Sequence, residues 1–229
     1  MPGTAKGVDG RSWWGKADAI PARGGPGQNP LKRGVDLTAA ALAIAVLLVP
    51  MALVATGILL ALGRPVLFRQ ERVGLGGARF EIVKFRSMRP QAAGAPALPD
   101  EARLVPFGRF LRRTRLDELP ELFNVLRGEM SLVGPRPLVP ATVAALGPFA
   151  DQRLGARPGL TGWAQVNGNT RLDDADKLVL DLWYIEHQSL RLDLHILLLT
   201  LGVVVLGERC HLPHIEQARR HACGSDRHG

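Results

Sequence analysis

A long apolar segment at residues 37–62 constrains this chain more than any other feature of its sequence. The segment contains no charged residue, and at about 1.5 Å of rise per helical residue it is long enough to cross a lipid bilayer. It starts too far from the N-terminus, and runs too long, for the apolar region of a signal peptide. We therefore expect a membrane helix. A buried helix of a soluble core is the least favoured alternative, because no comparable apolar segment follows to pack against it.

Two details favour a bent, re-entrant helix over a straight crossing. Pro50 lies near the middle of the segment, where it removes the hydrogen bond to the carbonyl of Val46 and should bend the helix. Both flanks are basic, with Lys32 and Arg33 before the segment and Arg64 after it. Because positive residues favour the cytoplasmic side, a hairpin with both ends inside satisfies both flanks, whereas a straight span places one flank outside.

The apolar helix divides the chain into four parts. Residues 1–30 are rich in Gly and Pro and predict a disordered leader, and residues 31–64 hold the membrane helix. Residues 65–206 have the length of one folded domain. Residues 207–229 form a polar tail that we expect to be disordered. The two cysteines imply no disulfide framework, and the cysteines and histidines of the tail lack the close pairing of a zinc site.

The charge of the chain points to anionic partners. Its formal net charge is +8, and arginine supplies most of the positive charge. Arginine suits bidentate contacts to phosphate groups on phospholipids, phosphorylated substrates or nucleic acid. A compositional bias of an Ala-, Gly- and Pro-rich chain explains the arginines equally well.

A β-hairpin is expected directly after the apolar helix. Residues 65–72 and 79–88 are two extended runs of apolar and basic residues, joined by a glycine-rich turn at 74–77. The turn matches neither of the common glycine-rich phosphate-binding patterns. Because side chains alternate along a strand, Lys84 and Arg86 should share one face of the second strand.

Two adjacent acids, Asp117 and Glu118, lie between arginine-rich segments. Pro120 is tolerated only in the first turn of a helix, so a helix should begin here, and its apolar positions keep helical spacing at Leu119, Leu122, Phe123 and Leu126. In one interpretation Asp117 caps this helix and Glu118 favours its dipole. In the other, the acids lie in an arginine-lined pocket where a carboxylate attacks a phosphate.

Two stiff loops and two helices follow the acid pair. The turn at 134–137 holds Arg136 between two prolines, and residues 157–168 form a second loop of turn formers that begins with Arg157. Residues 173–187 predict a helix whose first turn is acidic, a pattern that capping explains better than metal binding. Residues 194–206 predict a short apolar helix for a core or interfacial position.

These motifs occur in one order: FRQERVG, KFRSM, LRRTRLDELPELFNVLRGEMSLVGPRP and RPGLTGWAQVNG. With the preceding apolar helix, they resemble the bacterial sugar transferase family of small monotopic polyprenol-phosphate phosphoglycosyl transferases, over about residues 31–206. The resemblance implies a helix-rich α/β fold: a re-entrant bent membrane helix, a short hairpin, and interfacial helices around the active site. It also implies that residues 65–206 are the catalytic domain, on the cytoplasmic face of the bacterial inner membrane.

The resemblance implies a specific reaction. A UDP-sugar gives its phosphosugar to polyprenol phosphate, UMP is released, and a polyprenol diphosphate sugar forms. In the family the first acid of the pair is the nucleophile, so Asp117 would carry a covalent phosphosugar. Glu118 would help to hold Mg²⁺ against the diphosphate. Arg113 and Arg136 would bind phosphate oxygens, and the further implied binding residues are Lys84, Arg86, Arg157 and Asp181.

Some positions depart from the usual pattern of the family. Val49 stands where a serine often precedes the helix-bending proline, Arg115 where a small hydroxyl residue is usual, and Asn169 where an arginine is usual. These changes bear on the bend and on sugar or nucleotide preference more than on the reaction. Two other hypotheses are a non-catalytic basic module that docks on acidic lipids and a Mg²⁺-dependent lipid phosphatase. We expect membrane lipids as partners and no nucleic acid, and we leave a homodimer open.

Overall fold

One long helix begins the part of the chain described by the computed structural model, which comprises residues 29–90 and 98–222. Helix α1 spans Pro30–Leu62, and the side chain of Asn29 caps it by accepting a hydrogen bond from the backbone N–H of Leu31 at 2.9 Å. The helix continues through Pro50 and is about 50 Å long. It is long and apolar enough to cross a membrane, as the sequence predicted. The expected disordered leader lies outside the described residues over 1–28.

Both halves of α1 pack against the rest of the protein along one face. Before Pro50, Ala40 is fully buried in the main core. After Pro50, a second core forms around Met51, Val54 and Ile58, which pack with Phe85 and Leu111. Other faces of α1 leave large apolar side chains exposed, among them Leu42, Val46, Leu53 and Leu60. The helix is therefore attached to the domain at both ends and apolar towards its surroundings.

The predicted β-hairpin is confirmed. Strand β1 (Leu67–Val73) pairs antiparallel with β2 (Arg79–Phe85), with Leu67 opposite Phe85 and Val73 opposite Arg79. A short 3₁₀ turn at Leu75–Gly77 joins the strands.

The two stiff loops lie against each other through a short parallel sheet. Strand β3 (Ser131–Val133) pairs with β4 (Gly159–Thr161). A Cβ atom on Gly134 would lie 2.3 Å from the carbonyl oxygen of Arg157, and one on Gly159 would lie 2.1 Å from the nitrogen of Gly134. Only glycine lets the two backbones come this close. The loop that contains Arg136 therefore packs directly against the loop that begins with Arg157.

Short helices complete the fold around a core that includes Trp163, Leu180, Tyr184 and Ile196. The two predicted helices are confirmed as α8 (Asp174–His187) and α9 (Leu190–Leu206), and α9 begins earlier than expected. The helices after α1 are α2 (Asp100–Arg103), α3 (Pro106–Arg113), α4 (Glu121–Arg127), α5 (Pro140–Ala145), α6 (Ala150–Arg153), α7 (Trp163–Val166), α8 (Asp174–His187), α9 (Leu190–Leu206) and α10 (Leu212–Ala222).

The expectation of a disordered tail is wrong, because helix α10 forms there. It packs against α8 and buries Ile215 and Ala218. Arg219 Nη2 lies 2.5 Å from Asp176 Oδ1, so an acid of the first turn of α8 serves as an ion-pair partner of α10. Two buried apolar residues are too few to give a visible pattern in sequence. Cys223 lies outside the described residues.

Candidate active site

The acid pair lies in a tight turn between α3 and α4. Arg115 has left-handed backbone angles (φ 59°, ψ 14°), and Leu116–Glu118 form one 3₁₀ turn. Pro120 follows as the residue that precedes α4, and no side chain caps this helix. Asp117 and Glu118 are each only 8% exposed. The helix-capping interpretation therefore does not describe these acids, since both are buried ahead of α4.

Glu118 is held by three cationic side chains. Its Oε1 accepts from Lys84 Nζ at 2.8 Å and from Arg136 Nη2 at 3.0 Å, and its Oε2 lies 3.7 Å from Arg115 Nη1. Burial by itself would raise the pKa of Glu118, but the charges of Arg136, Lys84 and Arg115 outweigh burial and lower this pKa to about 2. Glu118 is therefore an anion throughout the physiological pH range.

Asp117 has the opposite electrostatic character. Burial and the neighbouring charge of Glu118 raise the pKa of Asp117 to about 6, although Lys84 and Arg112 act against this. Its Oδ1 is buried and has no hydrogen-bond partner among the described residues. Buried polar atoms are nearly always paired, so this oxygen is a candidate for contact with a ligand.

A third acid, Glu121, belongs to the site and was missed from sequence. It lies in the first turn of α4, is 2% exposed, and places Oε1 2.9 Å from Lys84 Nζ. Burial, followed by the charge of Glu118, raises the pKa of Glu121 to about 7 despite Lys84. Its position directly after Pro120, in the first turn of the predicted helix, is the sequence signal that could have placed it near the acid pair.

Asn124 fixes helix α4 against the hairpin. Its Oδ1 accepts from the backbone N–H of Val83 at 3.2 Å, and its Nδ2 donates to the carbonyl of Glu81 at 2.7 Å. Asn124 is fully buried. These hydrogen bonds hold the strand residue Lys84 beside the two glutamates of the turn and helix.

A cationic pocket opens next to Glu121. On the wall of this pocket, Arg72 Nη1 donates to the carbonyl of Pro137 at 3.0 Å. Burial and the like charge of Arg136 lower the pKa of Arg72. A bound anion would offset this unfavourable burial and repulsion of positive charge. In the sequence, Arg72 stands out only as one of the basic residues of the first hairpin strand. The pocket is lined by Arg72, Ile82, Lys84, Glu121, Arg136, Pro137 and Gly159.

Asp181 is linked to this pocket through a neighbouring arginine. It is buried on α8 and accepts from Arg153 Nε at 3.0 Å and from Arg153 Nη2 at 2.8 Å. Arg153 Nη2 also donates to the backbone carbonyl of Arg136 at 2.6 Å. Asp181 therefore acts on the site through Arg153, a second residue that sequence analysis missed.

Three other candidate residues lie elsewhere. Arg86 donates to the carbonyl of Leu62 at 2.6 Å and to two further carbonyls at the end of α1. Arg157 Nε donates to the carbonyl of Gly128 at 3.1 Å. Gly128 follows the C-terminal end of α4, whereas the acid pair precedes its N-terminal end. Arg113 is exposed in the last turn of α3. The contacts of Arg86 and Arg157 favour structural roles, and phosphate binding by these three arginines stays a prediction.

The acid pair offers the donor atoms that a hard divalent cation prefers. Mg²⁺ favours carboxylate oxygens; Asp117 and Glu118 are adjacent and buried, and Glu121 pairs with the same Lys84 as Glu118 does. Asp117 Oδ1, which has no hydrogen-bond partner among the described residues, is the oxygen best placed to bind such an ion, while Glu118 Oε2 lies 3.7 Å from Arg115 Nη1.

Comparison with known proteins identifies the family. The family model described as bacterial sugar transferase matches residues 27–207, which include the acid pair and the pocket. This chain belongs to the bacterial sugar transferase family. The match ends before α10, so the C-terminal helix lies outside the part that defines the family.

Individual relatives are similar over most of this chain. An uncharacterized sugar transferase of Bacillus subtilis, EpsL, is 42% identical over 78% of this chain and 89% of its own length. An undecaprenyl-phosphate glucose phosphotransferase of Komagataeibacter xylinus is 44% identical over 74% of this chain but only 35% of its own length. A UDP-glucose:undecaprenyl-phosphate glucose-1-phosphate transferase of Caulobacter vibrioides is 44% identical over 74% of this chain and 67% of its own length.

Proposed function

We propose that this chain transfers a sugar 1-phosphate from a UDP-sugar to polyprenol phosphate through a covalent intermediate on Asp117. The observation that carries the proposal is the buried carboxylate oxygen of Asp117, which has no hydrogen-bond partner among the described residues and lies within the electrostatic influence of Lys84 and Arg112. The names of the relatives, which include glucose-phosphate and N-acetylgalactosamine-phosphate transferases to undecaprenyl phosphate, support the reaction class. Because their sugars differ, the sugar used by this chain stays open.

In the first step Asp117 attacks the phosphorus that is bonded to the sugar. A bond forms between this phosphorus and a carboxylate oxygen of Asp117, the bond to the bridging oxygen of the diphosphate breaks, and UMP leaves. Lys84, Arg72 and Arg136 offset the negative charge of the phosphates. Burial raises the pKa of Asp117 only to about 6, so the carboxylate is ionised at neutral pH and ready to attack.

We further propose Mg²⁺ as the cofactor, held by Glu118 with help from its neighbouring carboxylates. When bound, the ion neutralises charge on the diphosphate and on the leaving UMP. Glu118 suits this role because the pKa of its carboxyl group is lowered to about 2 and it remains an anion.

In the second step an oxygen of polyprenol phosphate attacks the same phosphorus. The bond to Asp117 breaks, the carboxylate is regenerated, and polyprenol diphosphate sugar forms. The two-step course predicts ping-pong kinetics.

The contacts of α1 support a re-entrant topology. Near its start Lys32 pairs with Asp193 at 2.6 Å, and after its end Arg86 donates to the carbonyl of Leu62 at 2.6 Å. Both ends are therefore held by one domain, which favours placing them on the same, cytoplasmic side of the membrane. Cysteine labelling in sealed vesicles, at positions next to Lys32 and Arg64, tests this. Labelling from opposite sides would reject the hairpin.

The chemical proposal is tested by trapping the intermediate. Enzyme mixed with a UDP-sugar labelled in the sugar, without lipid acceptor, should hold label on the protein and release UMP. Asp117→Asn should do neither while remaining membrane-bound. Asp151→Asn, at an exposed acid of α6, should behave as the unmodified chain. Product formation at the normal rate by Asp117→Asn would reject the proposal.

The same labelled substrate separates the alternatives. Addition of polyprenol phosphate should move the label into lipid, whereas a phosphatase would move it into water. A non-catalytic basic module would form no labelled protein and would bind acidic lipids with equal strength after Asp117→Asn. A panel of UDP-sugars in this assay would also identify the sugar.

A further inference from the structure

A cluster of metal-ligating side chains lies far along the chain from the acid pair, where α8 ends against α10. Glu186, His187 and His221 each offer one ligand atom, and these atoms lie within 4.8 Å of one another. Glu186 and His187 occupy the last positions of α8, and His221 lies in the last turn of α10. The reaction proposed above uses none of the three.

His187 is oriented as metal-binding histidines usually are. Its Nδ1 lies 2.8 Å from the backbone carbonyl of Trp183, an acceptor that fixes the proton on Nδ1 and leaves the lone pair on Nε2. Its ring also stacks on Trp183, with ring centroids 4.2 Å apart and planes 12° apart. The side chain is therefore held in place before any ligand binds, which lowers the entropic cost of binding.

The second histidine faces the acid of the cluster. His221 Nε2 and Glu186 Oε2 are hydrogen-bonded to each other, and the rings of His187 and His221 meet edge to face at 5.1 Å. A cation bound among these atoms would replace the hydrogen bond between His221 and Glu186.

Two packed helices hold the three ligands. Helix α10 is anchored on α8 by buried Ile215 and Ala218 and by the ion pair of Arg219 with Asp176. Two imidazoles and one carboxylate favour zinc and its transition-metal neighbours over Mg²⁺, which prefers oxygen alone. Three protein ligands leave a coordination position for water.

We propose that Glu186, His187 and His221 form a binding site for a divalent transition-metal ion, with Zn²⁺ the best fit, and that the ion fastens α10 to α8. The site lies on α8, within the family match, and on α10, beyond its end at residue 207. Its ligand set is thus completed by a helix outside the family domain.

The test is Zn²⁺ titration of the full chain, without an affinity tag and in detergent, followed by calorimetry and by thermal unfolding. His187→Phe keeps a ring to stack on Trp183 but has no ligand nitrogen, and His221→Gln keeps a hydrogen-bond donor towards Glu186. Each should weaken Zn²⁺ binding at least tenfold. Zn²⁺ should raise the melting temperature of the unmodified chain and of neither variant.

Controls separate this cluster from other ligands. His211→Ala, at a histidine just before α10 and outside the cluster, should bind Zn²⁺ as the unmodified chain does. The same is expected of Cys223→Ser combined with His228→Ala. Mg²⁺ at equal concentration should shift the melting temperatures of the unmodified chain, His187→Phe and His221→Gln by the same amount, because it would bind at the acid pair and not at this cluster. Absence of saturable Zn²⁺ binding, or binding within twofold of normal in both His187→Phe and His221→Gln, would overturn the proposal.

Discussion

Arg115 Nη2 lies 2.7 Å from Glu208 Oε1, so an ion pair joins the turn that carries the acid pair to the segment between α9 and α10. Asn169 Nδ2 donates to the same oxygen at 2.6 Å. Arg115 (φ 59°) and Asn169 (φ 47°) are the two non-glycine residues with positive φ in the described part of the chain. Both are also positions where the sequence is expected to depart from the family pattern, and both side chains donate hydrogen bonds to Glu208.

Glu208→Gln should lower kcat about tenfold with little change in KM. The released Arg115 would move towards Glu118, whose Oε2 already lies 3.7 Å away, and would disturb the turn that positions Asp117. A tenfold change corresponds to about 1.4 kcal/mol, close to the lower end of the range for one hydrogen bond to a charged group. UMP release under steady-state conditions measures it. Glu216→Gln, at an exposed acid of α10, should be unaffected, and equal loss in both variants would contradict the role of Glu208.

Asp117→Asn should stabilise the fold at pH 8 while abolishing activity. Because burial and Glu118 raise the pKa of Asp117 from 3.8 to about 6, its charge opposes folding above pH 6, and this cost disappears as the pH falls towards 4. The gain in unfolding free energy should be roughly 1–3 kcal/mol at pH 8 and smaller at pH 5. Chemical denaturation at both pH values measures it.

Glu118→Gln should have the opposite effect on stability. The pKa of Glu118 is lowered from 4.5 to about 2 by Arg136, Lys84 and Arg115 against the effect of burial. Its charge therefore contributes stability above pH 4.5 that is lost as the pH falls towards 2. We expect a loss of roughly 2–3 kcal/mol at pH 7. If Asp117→Asn and Glu118→Gln shift stability in the same direction at pH 7–8, the opposed pKa shifts are wrong.

Activity should rise with pH around the pKa of the nucleophile. Only the carboxylate form of Asp117 can attack phosphorus, and burial with the charge of Glu118 raises its pKa to about 6. Below this pH, kcat/KM should fall about tenfold for each pH unit. Measurement of initial UMP release from pH 5 to 8 tests this. A profile that stays flat down to pH 5 would show that ionisation of Asp117 does not limit the reaction.

Glu121→Gln should strengthen binding of the product UMP severalfold at pH 8. The carboxylate of Glu121 lines the cationic pocket and opposes phosphate there. Because burial and Glu118 raise the pKa of Glu121 to about 7, the unmodified side chain is mostly neutral at pH 6, and the difference should shrink at that pH. Calorimetric titration with UMP at both pH values measures it. Glu101→Gln, at an exposed acid of α2, is the control, and an equal effect of Glu121→Gln at pH 6 and 8 would contradict the assignment.

The sequence by itself determined the features that depend on local pattern. The uncharged run that ends at Leu62 predicted α1, the glycine-rich turn predicted the hairpin, and an acidic first turn predicted α8. The order of the motifs gave the family. Each of these signals lies within a short stretch of chain, where helical spacing, strand alternation and turn residues act.

The tertiary structure alone decided which side chains meet. Lys84 is 34 residues from Glu118 in sequence, yet their side chains lie 2.8 Å apart. Arg86, two residues from Lys84 and expected on the same face, instead donates to carbonyls at the end of α1, while Glu121 is buried in the site. Local pattern cannot distinguish these outcomes, because burial and the pairing of charges depend on contacts between distant segments, and those contacts set each pKa.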